Sequence, residues 1–174
     1  MDHVLNKLAL ASERAPGRRG FEFLGPNDID RLETFFLSFD FDQRREYFGG
    51  GVSREGVRAY CRTIDWTGTT IITRTGPWCL EAIASITSIP EDLCSAELSM
   101  ACPLQCDRRP IVAELLDLSI VTASLNYRHL VVHHELAMPE LLSLLRASAS
   151  ASFVDDTVCI DVQIGDARNC CRLA

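Results

Sequence analysis

Apolar residues recur at helical spacing just after Pro26-Asn27-Asp28, where Ile29, Leu32, Phe35, Phe36 and Phe39 share one face. Asn27 or Asp28 is placed to cap the first turn. The phenylalanines between 35 and 48 read as core packing rather than as an aromatic cofactor box. Ahead of this helix, residues 21–24 alternate over a short run, as an edge strand does. Residues 40–51 lose the pattern. They are polar and end in Gly49-Gly50-Gly51, which no helix interior accommodates, so they predict a flexible connection. The next helix starts at Ser53, a good N-cap, and carries Val57, Tyr60, Cys61 and Ile64.

Strand-forming segments follow. Residues 69–74 (TTIITR), 78–89 (WCLEAIASITSI) and 95–102 (SAELSMAC) predict three strands, separated by turns at Gly76-Pro77 and at 90–94. A helix over about 109–124 is apolar on much of its surface, which predicts burial against a sheet. Residues 128–133 (RHLVVH) predict a buried parallel strand, and Pro139 opens a helix through Leu141, Leu142, Leu144 and Leu145. Residues 153–164 predict a last hairpin that turns at Asp155-Asp156, with Val158, Ile160 and Val162 on one face. The order is β-α-α-β-β-β-α-β-α-β(β). Its strand–helix–strand unit at 95–133 requires one parallel pair with a right-handed crossover. The fold class is therefore α/β in the α+β sense: a central mixed, mostly antiparallel sheet with helices on both faces. It spans 21–165, between a flexible lead-in at 1–20 and a loose tail at 166–174.

Composition narrows the field of partners. A chain of 174 residues suits one domain with one core. Its 47% hydrophobic and 24% charged residues are ordinary for a globular protein. A net charge of -7, with arginines only in local pairs, argues against nucleic acid as the main partner. The opening MDHVLNKLALASER interrupts its short apolar run with Asp2, Lys7 and Glu13, so neither a signal peptide nor a membrane span is expected. Among eight cysteines no CxxC occurs, and His133 and His134 are not spaced to complete a zinc set, so no metal site is expected. Cys61, Cys79, Cys94 and Cys159 stand in apolar contexts and are expected to be reduced core thiols, which points to the cytoplasm.

Candidate chemistry concentrates in residues 95–116, SAELSMACPLQCDRRPIVAELL. A strand feeding a helix through a short loop is a common anion site, because free N–H groups and the helix dipole both favour negative charge there. This loop lacks the glycines that let a backbone wrap a phosphate. Gly49–Gly51 do not supply them, since no Lys-Ser/Thr helix follows. Asp107 and Pro110 also suit an ordinary helix start, as a cap and a first-turn proline.

The chain resembles the GCN5-related N-acetyltransferase (GNAT) family. The resemblance rests on the element order over 21–164, on FFLSFDFDQRREYFGG followed by VSREGVRAYC, and on the strand text CLEAIASITSIPEDLCSAELSMAC. It implies an acyltransferase that moves an acetyl or acyl group from acyl-CoA to an amine on a small molecule or a protein. It also implies that strand four ends in a bulge, splays from strand five and receives pantetheine, so Met100, Ala101 and Cys102 would face the arm. The pyrophosphate would sit at the next helix, on a loop of pattern Q/R-x-x-G-x-G/A. Laid without a gap, that loop is Asp107, Arg108, Arg109, Pro110, Ile111 and Val112. Pro110 removes an N–H, Val112 adds a branched side chain, and Asp107 brings like charge. Arg108 and Arg109 offer compensating charge-assisted contacts. Two outcomes stay open: acyl-CoA binding retained through the arginines and the strand backbone, or a catalytically inactive degenerate domain that binds a partner or metabolite. Glu97 is the candidate catalytic base, with His133 or His134 as further candidates for proton transfer. The C-terminal strand leaves a homodimer open.

Overall fold

The computed structural model describes residues 20–76 and 79–162. In chain order it has β1 (Gly20–Leu24), a 3-10 turn (Pro26–Asp28), α1 (Ile29–Leu37), α2 (Phe41–Phe48), α3 (Arg54–Thr63) and β2 (Thr69–Thr75). Then come β3 (Leu80–Ile89), β4 (Asp92–Ala101), α4 (Arg108–Ala123), β5 (His129–His133), a second 3-10 turn (His134–Leu136), α5 (Pro139–Arg146), β6 (Ala151–Val154) and β7 (Thr157–Asp161). The strands form one seven-stranded sheet in the order β1-β2-β3-β4-β5-β7-β6. Only β4 and β5 run parallel; every other neighbouring pair is antiparallel. This is the mixed sheet that the element order predicts, with α4 as the crossover. Among the described residues no helix is long and apolar enough to cross a membrane.

Strand alternation divides the core in two. Ile71, Ile83 and Ala101 face α1 and α3, where Leu32, Phe35, Phe36, Phe39, Val57 and Cys61 are buried. Ile72, Ala84 and Met100 face α4 and α5, packing with Leu115, Leu130, Leu141 and Ile160. Register carries the alternation from strand to strand, with Ile72 opposite Ala84 and Ala84 opposite Met100. Burying each large apolar side chain contributes about 1.5–3 kcal/mol. Arg74 pins α4 to the sheet by donating to Glu114 at 2.6 Å while meeting Glu81 at 3.3 Å.

Several expectations need correction. Residues 41–48 are helical rather than a flexible connection. The signal is a capping box: Asp40 accepts from the Gln43 N–H at 2.8 Å, and Gln43 Oε1 accepts from the Asp40 N–H at 3.2 Å. The helix stops at Gly49, whose φ of 68° lies in the left-handed region. Arg44 secures both approaches, donating to the carbonyls of Phe39 at 2.5 Å and Val52 at 3.2 Å. At α1, Asp28 stands in the cap position but accepts from Gly25 N–H at 3.1 Å and from Arg31 instead. β4 begins at Asp92, so the turn expected over 90–94 is shorter. β5 is buried on alternate residues rather than throughout. The hairpin turn falls at Asp155-Asp156 as expected, with Asp155 at φ 49°. Most of the expected lead-in and all of the expected tail lie outside the described residues.

Because α2 has so little apolar surface, its cap should matter. Asp40→Ala is expected to lower unfolding stability by about 1 kcal/mol, measured by urea denaturation with an unchanged m-value. An unchanged midpoint would show that Arg44 and the packing of Tyr47 and Phe48 on Phe36 hold the helix without the cap.

Candidate functional site

The β4–β5 pairing is brief. Ser95 pairs with His129, Ala96 with Leu130 and Glu97 with Val131, and there it ends. β4 runs on to Ala101 paired with β3, while Val132 and His133 pair with β7. The chain just after β5 is drawn the same way: His134 N–H donates to Asp156 O at 2.8 Å. The result is a V-shaped cleft with its vertex at Glu97. The resemblance implied a bulge in strand four, but the β3–β4 ladder keeps one register from Ala96 to Ala101 and shifts only at Ser88/Ile89. The one irregularity lies near the start of β4, before Ala96, and the strands part beyond Glu97, where β5 stays paired with β7.

A pocket of about 240 Å³, counting the space open to solvent, fills the mouth of the V. Met100, Ala101 and Cys102 wall it on the β4 side, and Leu136 and Met138 on the β5 side. Gln43, Glu46 and Tyr47 close it from α2, and Arg108 enters from the first turn of α4. Gly49 lets the two walls meet: a Cβ there would lie 3.0 Å from Leu136 Cδ2.

At the vertex a polar group gathers on the α2–α3 side of the sheet. Glu97 Oε2 lies 4.0 Å from His133 Nε2, and both side chains are partly open to solvent. The Tyr47 hydroxyl is 3.4 Å from Ser99 Oγ. Burial pushes the Tyr60 hydroxyl pKa well above its ordinary value, and its hydrogen bond with Tyr47 and the nearby Glu97 charge act in the same direction. Such a set can accept a proton at Glu97 and orient a polar substrate through the hydroxyls.

The structure brings together some of the expected site residues and separates others. Met100, Ala101, Cys102 and Arg108 meet at the pocket. Arg109 and Asp107 are exposed beside the helix start, and Asp107 stands at the N-cap without accepting a bond from the helix, contrary to the expected cap. Ile111 and Val112 direct their side chains into the core. His134 is exposed in the 3-10 turn. Tyr47 belongs to a segment the family resemblance puts on the substrate side, without a role for it; Glu46 was hidden because the segment reads as loop, and the Asp40-x-x-Gln43 box was the available signal. Among the described residues no group of three His, Cys, Asp or Glu could hold a metal.

The cysteines divide by environment. Cys61 and Cys102 are buried, but Cys79 and Cys94 are exposed, which corrects their expected burial. Cys94 lies at the outer end of β4, where the burial pattern has not yet begun to alternate. Burial pushes the Cys102 thiol up to about 12 and the Cys61 thiol to about 11.

No protein-family model and no curated relative matches the chain. Solved structures do. The GNAT domain of S. lividans PAT shares 15% identity over 83% of this chain and 89% of its own, with a TM-score of 0.58. An acetyltransferase of the GNAT family from Staphylococcus aureus Mu50 shares 11% identity over 84% of this chain and all of its own (100%), with a TM-score of 0.58. An N-acetyltransferase from the same organism gives 14%, 84%, 100% and 0.60 for the same quantities. At these identities the likeness establishes the fold: the chain has the architecture of the GNAT acetyltransferases.

Two outcomes follow for the thiols. With iodoacetamide at pH 8 the folded protein is expected, among the described cysteines, to modify Cys79 and Cys94 before Cys61 and Cys102, which stay protected until denaturant is added; rapid native labelling of Cys102, read by peptide mass mapping, would contradict its burial. The raised thiols also bind protons in the folded state more tightly than in the unfolded chain. Their contribution to stability is therefore complete below the ordinary thiol value of 9.0 and lost as pH climbs through about 12. Thermal melts should show the midpoint falling over that alkaline window.

Proposed function

We propose that this chain is an acyltransferase that moves an acetyl or other acyl group from acyl-CoA to an amine on a small molecule or protein. The observation that carries the reading is the free edge of β4, which opens beside Glu97 at the vertex of the cleft. In this reading the pantetheine arm lies along Met100, Ala101 and Cys102, and the thioester reaches the vertex. Glu97 takes the proton of the acceptor ammonium. The amine then attacks the thioester carbonyl, the C–S bond breaks, and the proton shed by the nitrogen as it becomes an amide passes to the thiolate, which leaves as CoA thiol. The pyrophosphate lies at the α4 N-terminus, over the N–H groups of Arg108 and Arg109 and against the exposed Arg109 side chain. Pro110 offers no N–H, and Ile111 and Val112 hold the helix start in the core. Asp107 adds an opposing charge, so the pyrophosphate contact is a weak one.

A second reading is a catalytically inactive binding domain. It draws support from the helix start, where Pro110 and the inward Arg108 side chain stand in place of an open phosphate loop.

The two readings separate on ligand binding. Acetyl-CoA at a hundredfold excess over its Kd should stabilise the fold by about 2.7 kcal/mol, seen as a raised melting temperature. No shift at millimolar acetyl-CoA would sink the acyltransferase reading. Glu97→Gln should lower kcat by about a hundredfold or more while the acetyl-CoA shift persists. An unchanged kcat would remove Glu97 from the chemistry.

A further inference from the structure

We infer that Arg108 is a latch across the path of the acyl-CoA arm, closed when its guanidinium bridges Glu46 and Glu140. This rests on the acyltransferase reading and adds a control to the same cleft. The Arg108 side chain is only 10% exposed and lines the pocket mouth. Its Nη2 lies 3.8 Å from Glu46 Oε2, and its Nη1 lies 3.8 Å from Glu140 Oε2. Glu46 belongs to α2, which closes the pocket, and Glu140 to the first turn of α5, two residues past Met138 of the β5-side wall. The guanidinium therefore spans the opening between Met100–Cys102 and Leu136–Met138, where the arm would have to pass.

The contacts that close the latch are long. At 3.8 Å they are ion pairs beyond hydrogen-bond reach. Arg108 Nε and Glu140 Oε2 are both buried without a hydrogen-bond partner. A buried polar atom left without a hydrogen bond bears a desolvation cost that a 3.8 Å ion pair offsets only in part. The closed state is thus set to open. Two carboxylates around one guanidinium also leave a net negative charge at the mouth, which opposes an anionic cofactor until the cluster parts.

The latch lowers apparent affinity, because only the open fraction accepts the arm. Removing it should therefore tighten binding. Calorimetry with S-acetylpantetheine, the arm without its nucleotide phosphates, isolates this effect from any phosphate contact of Arg108. Arg108→Ala is expected to bind it about fivefold tighter or more. Glu140→Gln keeps the arginine and most of the packing, so it serves if Arg108→Ala fails to fold; it should tighten S-acetylpantetheine binding in the same direction. Equal or weaker binding by the folded variants, with the wild type still binding, overturns the latch and leaves the acyltransferase reading standing. Binding by the variants alone supports a latch that is closed in the wild type. Binding by none of the three proteins, with acetyl-CoA also giving no thermal shift, overturns both.

Discussion

The hydrogen bonding between β4 and β5 stops after three residue pairs, and the geometry of the cleft depends on that stop. The parallel pair exists because α4 carries the chain across the sheet, and it ends because β5 is held to β7 beyond Val131. A strand edge normally lies at the border of a sheet, where it invites pairing with another chain. Here a length of edge lies inside the sheet, screened by α2 on one side and by the start of α4 on the other. Backbone donors and acceptors of β4 are thereby available in an enclosed place, next to a carboxylate. Neither the net charge nor the overall composition contributes to this.

The start of α4 combines two uses that conflict. Ile111 and Val112 anchor the helix in the larger core, and Pro110 suits a first turn. The same choices reduce the open N–H groups with which a helix terminus greets an anion. Arg108 deepens the conflict, since its charge is turned inward to Glu46 and Glu140 rather than outward to solvent. At this terminus the apolar side chains serve the core, and the one inward charge is held by two long ion pairs rather than by hydrogen bonds.

The sequence was most legible where burial follows a simple period. The helical stripe from Leu32 to Phe39 and the alternation of Val158, Ile160 and Val162 mark core faces that the structure keeps. It was least legible at α2. That helix has Gln43 as its single fully buried residue; it is held by its caps, by Arg44 and by Tyr47 and Phe48 against Phe36 rather than by a long apolar stripe. The cleft was legible in outline, because strand, loop and helix are consecutive. Its charges were not: residues 46, 108 and 140 are far apart in the chain and meet only through tertiary packing. The nearness of Glu97 to His133 likewise depends on a parallel register that no local pattern encodes.

The three consecutive glycines are not equivalent, and this bears on how the protein can drift in sequence. At Gly49 the left-handed backbone strains any side chain, and a Cβ would also press on Leu136 Cδ2 at 3.0 Å. At Gly51 a Cβ would meet only the rim of the Phe41 ring, at 3.1 Å, and an exposed ring can rotate aside. At Gly50 nothing lies within 4 Å. Among homologues, then, the tripeptide should keep its first glycine long after the other two have been exchanged. The gauge of the cleft is a missing methyl group at one of three look-alike positions.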